Sequence, residues 1–323
     1  MPAPALSSAA SNSKGAPPAC QLFDPAGPDL PLLVASAHSA RHYPDEFVRG
    51  SRLPLEALRR SEDCFVDELF GPAPALGASL LCASFPRAYC DANREKWELD
   101  PSMFLEPLPS WCNTGTERVR AGFGTIARLV SHGEPIYNRK LSFREAESRI
   151  LSCWEPYHAT LSFLIARSLS RHGLCLLLDC HSMPRGTPHR SARDVDIVLG
   201  DAYSTSCAPM VTRTVQRQLE AEGLRVQRNH PYAGGYVTRH YGRPLENVHV
   251  LQIELSRPLY MTEETFLKHE GFDALQGVLS RLVQTLAVLS QDMAKKRRCR
   301  STAKFREETS KKQRAKRRCE STI

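Results

Sequence analysis

The chain lacks the features that mark several large protein classes. It has no run of about 18 uncharged apolar residues, so no segment reads as a membrane span. Its most strongly apolar stretch, residues 174–178, is only strand-sized. The 11 cysteines include no CxxC pair, which argues against a cysteine-rich zinc module. Their odd number and wide scatter point to reduced thiols in a reducing, cytoplasmic compartment. There is no GxSxG elbow, Walker loop or HExxH, so serine-based hydrolysis and phosphate cradling have no local support. Residues 1–20 have no charged stretch followed by an apolar core. They are rich in Ala, Ser and Pro, with Lys14 their only charge, and read as a flexible leader over 1–21 rather than a signal peptide.

What remains is ordinary globular material. Over 323 residues, 41% are apolar and 24% charged, enough for one large α/β domain or two small ones. The net charge of +8 is unevenly placed. Residues 294–323 hold 13 Lys+Arg against 3 Asp+Glu, a net +10, so the rest of the chain, 30 basic against 32 acidic, carries −2. Dense clusters such as Lys295-Lys296-Arg297-Arg298 and Lys316-Arg317-Arg318 repel themselves, and 294–323 reads as a disordered basic tail. The same composition suits a nucleic-acid contact or a nuclear-import signal. The body, 22–293, shows no matching basic face.

Within the body the pattern alternates strand and helix. Residues 30–37 read as a buried strand ending at His38, and 54–70 as one helix opened by Pro54. Residues 80–83 and 88–91 read as strands, and 110–116 as a loop. A long helical region over 143–172 is interrupted near Pro156. The clearest strand, 174–179, leads into a loop with His181. Residues 196–199 read as a strand, 204–222 as a helix stopped by Gly223, 224–227 and 248–255 as strands, and 262–292 as a final helix. This order predicts an α/β layered fold in one domain.

The chemistry-bearing residues fall at strand ends, where open α/β sheets build their sites. His38 and His181 each follow an apolar strand, and two neutral imidazoles suit zinc. A catalytic zinc needs a third protein ligand and an open position. Asp63 offers one, with Asp67 and Glu62 as rivals. Glu254 lies inside the apolar run Leu251-Gln252-Ile253-Glu254-Leu255, where a carboxylate needs a partner. Beside a metal it is a general base; otherwise it is one half of a salt bridge to Arg257 or Arg94. Asn93-Arg94 offers a planar fork for a substrate carboxylate, or an ordinary ion pair with Glu95 or Glu98. The run from Asn229 through Gly234-Gly235 to Tyr236 lacks GxGxxG spacing and no helix is read directly after it. It reads as an aromatic-lined pocket wall rather than a nucleotide loop.

Read in order, these segments resemble the N-formylglutamate amidohydrolase family. The likeness rests on Ala37-His38-Ser39 with Tyr43-Pro44, Glu62-Asp63 through Phe70, Asp91-Ala92-Asn93-Arg94-Glu95 and Pro135-Ile136-Tyr137 with Lys140-Leu141-Ser142. It continues through Pro156-Tyr157-His158, Asp179-Cys180-His181-Ser182-Met183-Pro184, the run from Asp196 to Asp201, NHPYAGGYVTRHYG from Asn229, and HVLQIELSRPLY from His249. It spans roughly residues 30–290 and neither tail.

The resemblance implies a three-layer mixed β-sheet flanked by helices, like that of zinc carboxypeptidases and aspartoacylase-like deacylases. It implies one Zn2+, or another divalent ion, on His38, Asp63 and His181, with Glu254 as general base and Asn93-Arg94 gripping the substrate carboxylate. Tyr236 and Arg239 are expected to close over the ligand. The implied reaction is N-formyl-L-glutamate plus water to formate and L-glutamate, a step of amino-acid catabolism, with a small-molecule N-acyl amino acid as partner and no membrane. Three departures stand out. Arg41 occupies the position where carboxypeptidases place the Glu of HxxE, Ala40 stands where the family usually has Gly after His-Ser, and the basic tail is unusual. The rivals are a hydrolase of another N-acyl amino acid or small peptide, and a binding protein acting through its tail.

Overall fold

A computed structural model describes residues 17–130, 133–185 and 195–320, with side chains up to 297. The leader through residue 16 lies outside the described residues, although the reading of 1–21 overlaps the first strand, which starts at Cys20. The chain packs as two compact units. One holds residues 17–21, 38–62 and 82–158; the other holds 22–37, 63–81 and everything from 159 onward.

The strands build one seven-stranded mixed sheet, with a two-stranded pair apart from it. In chain order the strands of the large sheet are β1 (Cys20–Phe23), β2 (Leu32–Ser36), β3 (Ser79–Ala83), β4 (Cys175–Met183), β5 (Ile197–Gly200), β6 (Val226–Arg228) and β7 (Val248–Ser256). Their order across the sheet is β1-β3-β2-β4-β7-β5-β6. β2, β4 and β7 run parallel, while β5 pairs antiparallel with β7. Every residue of β2, β3 and β4 is buried, which accounts for near-continuous apolar runs instead of alternation.

The helices are α1 (Asp45–Gly50), α2 (Leu55–Arg59), α3 (Val66–Leu69), α4 (Glu117–Arg120), α5 (Phe143–Arg149), α6 (Glu155–His172), α7 (Pro209–Ala221), α8 (Tyr236–Tyr241) and α9 (Gly271–Glu320). Between α5 and α6 a π-turn spans Ile150–Trp154, just ahead of Pro156, which has no N–H to continue an α-helical ladder. That is the interruption expected near Pro156.

Several expectations differ from the fold. The single helix over 54–70 is two short helices, because Phe65 takes a left-handed backbone (φ 62°) and breaks the run. Asp63 sits in that break rather than on a helix. Residues 88–91 are a turn, not a strand, closed by the N–H groups of Tyr89 and Cys90 on the Pro86 carbonyl. The strand at 174–179 continues as β4 through Met183, so His181 lies inside a strand and not in a loop. The helix expected from 204 starts at Pro209, because Ala202, Tyr203 and Ser204 are left-handed and the Asp201 carboxylate accepts the Ser204 N–H. A short helix, α8, does follow the Gly-containing loop directly. The final helix starts at Gly271, since Met261–Thr262 (β8) pairs with Leu267–Lys268 (β9) first.

α9 also runs on to Glu320, so residues 294–320, read as disordered, are helical backbone. Beyond Gly277 that stretch contains neither Gly nor Pro and is rich in Lys, Arg, Ala and Glu, all good helix formers. Eight of the nine described cysteines are buried. No helix among the described residues is long and apolar enough to cross a membrane.

Candidate metal centre and active site

The two central strands set the geometry. In the parallel pairing of β4 with β7, Asp179 stands opposite Gln252 and His181 opposite Glu254. Residues two apart on a strand share a face, so these four polar side chains gather on one side of the sheet. All four are buried, Asp179 completely. Alternation gives the other face to Leu178 and Cys180 on β4 and to Leu251 and Ile253 on β7.

His38, Asp63 and His181 each present one ligand atom, and these atoms lie within 4.8 Å of one another. All three residues are buried. Of the rival carboxylates, Glu62 is turned to Arg59, whose Nε and Nη2 donate to it at 3.0 and 3.3 Å. Asp67 lies in the first turn of α3. The left-handed Phe65 separates Asp63 from Asp67, and the pairing with Arg59 turns Glu62 away.

The donor set fits a divalent cation. His181 Nδ1 lies 3.0 Å from Asp63 Oδ2. Ligand atoms about 2.1 Å from a tetrahedral ion stand roughly 3.3 Å apart, close to that spacing. Each histidine is also held from behind by an aspartate. His181 Nε2 meets Asp179 Oδ1 at 3.0 Å, and His38 Nε2 meets Asp91 Oδ1 at 2.7 Å. An imidazole that donates one ring N–H to a carboxylate turns the lone pair of its other nitrogen toward a metal.

The local electrostatics follow from these contacts. Burial disfavours charge on His181, but Asp179, Asp63 and Glu254 override it and hold the imidazole well above its usual range. Burial likewise opposes charge on Asp91. Arg87, the contact with His38, and Arg94 outweigh it and keep this carboxyl well below the usual carboxylate range. Arg87 Nη2 donates to Asp91 Oδ2 at 2.9 Å, and the Asn93 N–H donates to Asp91 Oδ1 at 2.8 Å.

Glu254 accepts a hydrogen bond from Gln252 Nε2 at 2.8 Å, and Gln252 Oε1 accepts the Gly235 N–H at 2.7 Å. Arg257, offered by the sequence as a partner for Glu254, places Nη2 3.7 Å from Asp63 Oδ1 and donates from Nε to Ser182 Oγ at 3.2 Å. Arg94 is half-buried, and desolvation lowers its pKa to about 10. Its Nε and Nη1 donate to the carbonyls of Phe123 and Asn93 at 2.8 and 2.9 Å, and Nη2 lies 3.9 Å from Asp91. Tyr236 is half-buried at the start of α8 and stacks on His240, with ring centroids 4.8 Å apart. Arg239 is exposed and donates from Nε to the Gly234 carbonyl at 3.2 Å. The loop before α8 lies so close to β5 that a Cβ at Gly200 would stand 2.8 Å from the Ala233 carbonyl carbon.

Sequence reasoning missed Asp91, Asp179 and Gln252. Asp179 and Gln252 each lie two positions before a residue it singled out, and period-two counting along a strand is the signal that finds them.

The family model of N-formylglutamate amidohydrolase matches residues 30–261. The N-formylglutamate deformylase of Pseudomonas putida is 30% identical over 263 residues, which cover 80% of this chain and 92% of that protein. The Pseudomonas aeruginosa deformylase is 29% identical over the same shares. The crystal structure of N-formylglutamate amidohydrolase from Ralstonia eutropha JMP134 superposes with a TM-score of 0.79 at 38% identity, covering 84% of this chain and 98% of that one. A gene product of Agrobacterium tumefaciens shares the fold, with a TM-score of 0.62 at 18% identity. The chain belongs to the N-formylglutamate amidohydrolase family.

Proposed function

We propose that this chain hydrolyses the amide bond of N-formyl-L-glutamate, releasing formate and L-glutamate. The observation that carries the reading is the buried His38, Asp63, His181 cluster with Glu254 paired beside His181, in a chain of this family. His38, Asp63 and His181 would hold one divalent cation, and their nitrogen and carboxylate donors favour zinc while admitting another ion. When bound, such an ion polarises the formyl carbonyl and lowers the pKa of water toward ~7.

The chain's own groups do the rest. Asp91 and Asp179 fix the ring orientations of His38 and His181. Glu254 takes the proton of the attacking water and returns it to the leaving amine. Gln252 holds the Glu254 carboxylate in place. Asn93 and Arg94 orient the substrate through its carboxylate, a positioning role. Tyr236 and Arg239, in the segment after the Gly-containing loop, cover the bound ligand. The arrangement we infer is that of the zinc carboxypeptidases, working in a reducing cytoplasm.

The test is formate release from N-formyl-L-glutamate by the metal-loaded protein, with a chelated aliquot alongside. Chelator-sensitive release is expected. Release unaffected by chelation refutes the metal reading. Faster release of acetate or succinate from the N-acetyl or N-succinyl analogues refutes the formyl assignment. Glu254→Gln should retain metal and lose about 10²–10⁴-fold in kcat; full activity in that variant removes Glu254 from the mechanism.

A further inference from the structure

A pocket of about 190 Å³ lies within the unit that contains residues 38–62 and 82–158, and its lining includes none of the residues assigned above to the metal centre or the substrate. Arg149, the last residue of α5, lines it and is 8% exposed. The guanidinium lies over the Tyr89 ring at 4.5 Å and over the Phe47 and Tyr137 rings at 5.5 Å each. Its hydrogen bond is to the Tyr137 hydroxyl, 2.6 Å from Nη1. Among the described residues it has no carboxylate partner. Burial keeps both tyrosines protonated, Tyr89 up to about 12, so neither supplies a countercharge. Glu145 acts on Arg149 only at a distance, and a buried cation with no carboxylate in hydrogen-bond contact and four of its five N–H donors uncommitted is costly to maintain for packing alone.

The other charges around the pocket define what would complete it. Glu145 is engaged by Arg139 at 2.6 and 3.0 Å and by the Ser142 N–H, so that pair is neutral as a unit. Glu46, exposed at the rim on α1, has no such partner among the described residues. One unbalanced cation at depth and one unbalanced carboxylate at the rim match a zwitterion. They do not match a phosphate, whose second charge would face Glu46 with only Arg149 left to balance it, since Arg139 is committed to Glu145. We propose that this pocket is a second ligand site, distinct from the metal centre, for a free α-amino acid. The ligand's carboxylate would lie in the fork of Arg149 and its ammonium toward Glu46. The site stands whatever the metal centre hydrolyses.

The experiment uses the full-length, metal-loaded chain with 15N-labelled arginine and L-glutamate as the probe. The readout is the Arg149 Nε–H resonance, assigned by its loss in Arg149→Lys. If that variant fails to fold, the resonance is assigned by its contacts to the Tyr89 and Tyr137 rings. We expect a saturable shift with millimolar L-glutamate, binding weakened about tenfold or more in Glu46→Gln, and about as much when acetate replaces the amino acid. Ser148→Trp, at an exposed rim position, should block the pocket and abolish the shift. An unmoved resonance overturns the site. A shift that survives Ser148→Trp assigns it to binding elsewhere and overturns the site as well. Equal binding of acetate overturns the amino-acid assignment.

Discussion

Two aspartates behind the candidate ligand histidines do much to define the site. Asp91 and Asp179 each hold the rear nitrogen of one histidine at hydrogen-bond distance. Loss of such a partner usually weakens metal affinity 10–100-fold, because ring orientation and ligand basicity go together. Asp179→Ala is therefore expected to weaken metal binding by about 10–100-fold, read by competition with a chromogenic chelator. Unchanged affinity would mean that His181 is held by packing alone. His38 and His181 were legible in the sequence as candidates, because each follows an apolar run. Asp91 was visible only as part of a motif. Its contact with His38 spans 53 residues, and no local pattern encodes a contact at that range. The choice among Glu62, Asp63 and Asp67 was equally closed to sequence reasoning. It depends on the Arg59 contact that turns Glu62 away and on a left-handed Phe65 that sets Asp63 apart from Asp67, neither of which composition predicts.

Elements with a strong apolar period were legible, and those shaped by one residue's backbone or by pairing partners were not. β2, β3, β5 and β7 lie where their runs placed them. β4 ran on because Asp179 to Met183 pairs with Gln252 to Ser256 residue by residue, although the segment is too polar to read as strand. α5 shows the local logic at its clearest. Ser142 and Glu145 form a reciprocal capping box, each side chain taking the other's backbone N–H. Ser142→Ala should destabilise the protein by about 1 kcal/mol in chemical denaturation. An unchanged midpoint would show that packing alone holds the helix.

Glu145 also gives this element a pH dependence. Hydrogen bonds from Arg139 lower its pKa from 4.5 to about 2, with the Ser142 N–H helping. A carboxyl depressed in the folded state adds stability above its unfolded pKa, and that stability is lost as pH falls through the folded value. The window is therefore about pH 4.5 down to 2. The pair is largely exposed, with Arg139 at 53%, so screening limits the effect to below about 1 kcal/mol. Glu145→Gln should melt below wild type at neutral pH, and the gap should close across that window. A gap that stays constant down to pH 2 would show that the ion pair contributes nothing.

At the scale of the whole molecule, charge and burial divide α9 into two parts. Its first half packs against α7, α3 and β2, with Leu279, Leu282, Val283 and Leu286 each at most 2% exposed. Ala294 is its last buried residue among those whose side chains are described. Beyond it lies the basic stretch, outside the family match over 30–261. Burying a Leu or Val side chain contributes about 1.5–3 kcal/mol, so these four together account for roughly 6–12 kcal/mol. That equals most of the roughly 5–15 kcal/mol by which a domain is stable. Removing residues 279–323 should therefore leave a chain that does not fold. Removing only 298–323 takes away basic charge and none of these buried side chains. Tm and kcat/KM on N-formyl-L-glutamate are expected to stay at the full-length values. A tenfold fall in kcat/KM, about 1.4 kcal/mol of transition-state stabilisation, would tie the basic stretch to catalysis. A fall in Tm with activity retained would instead place it in the stability of the helix.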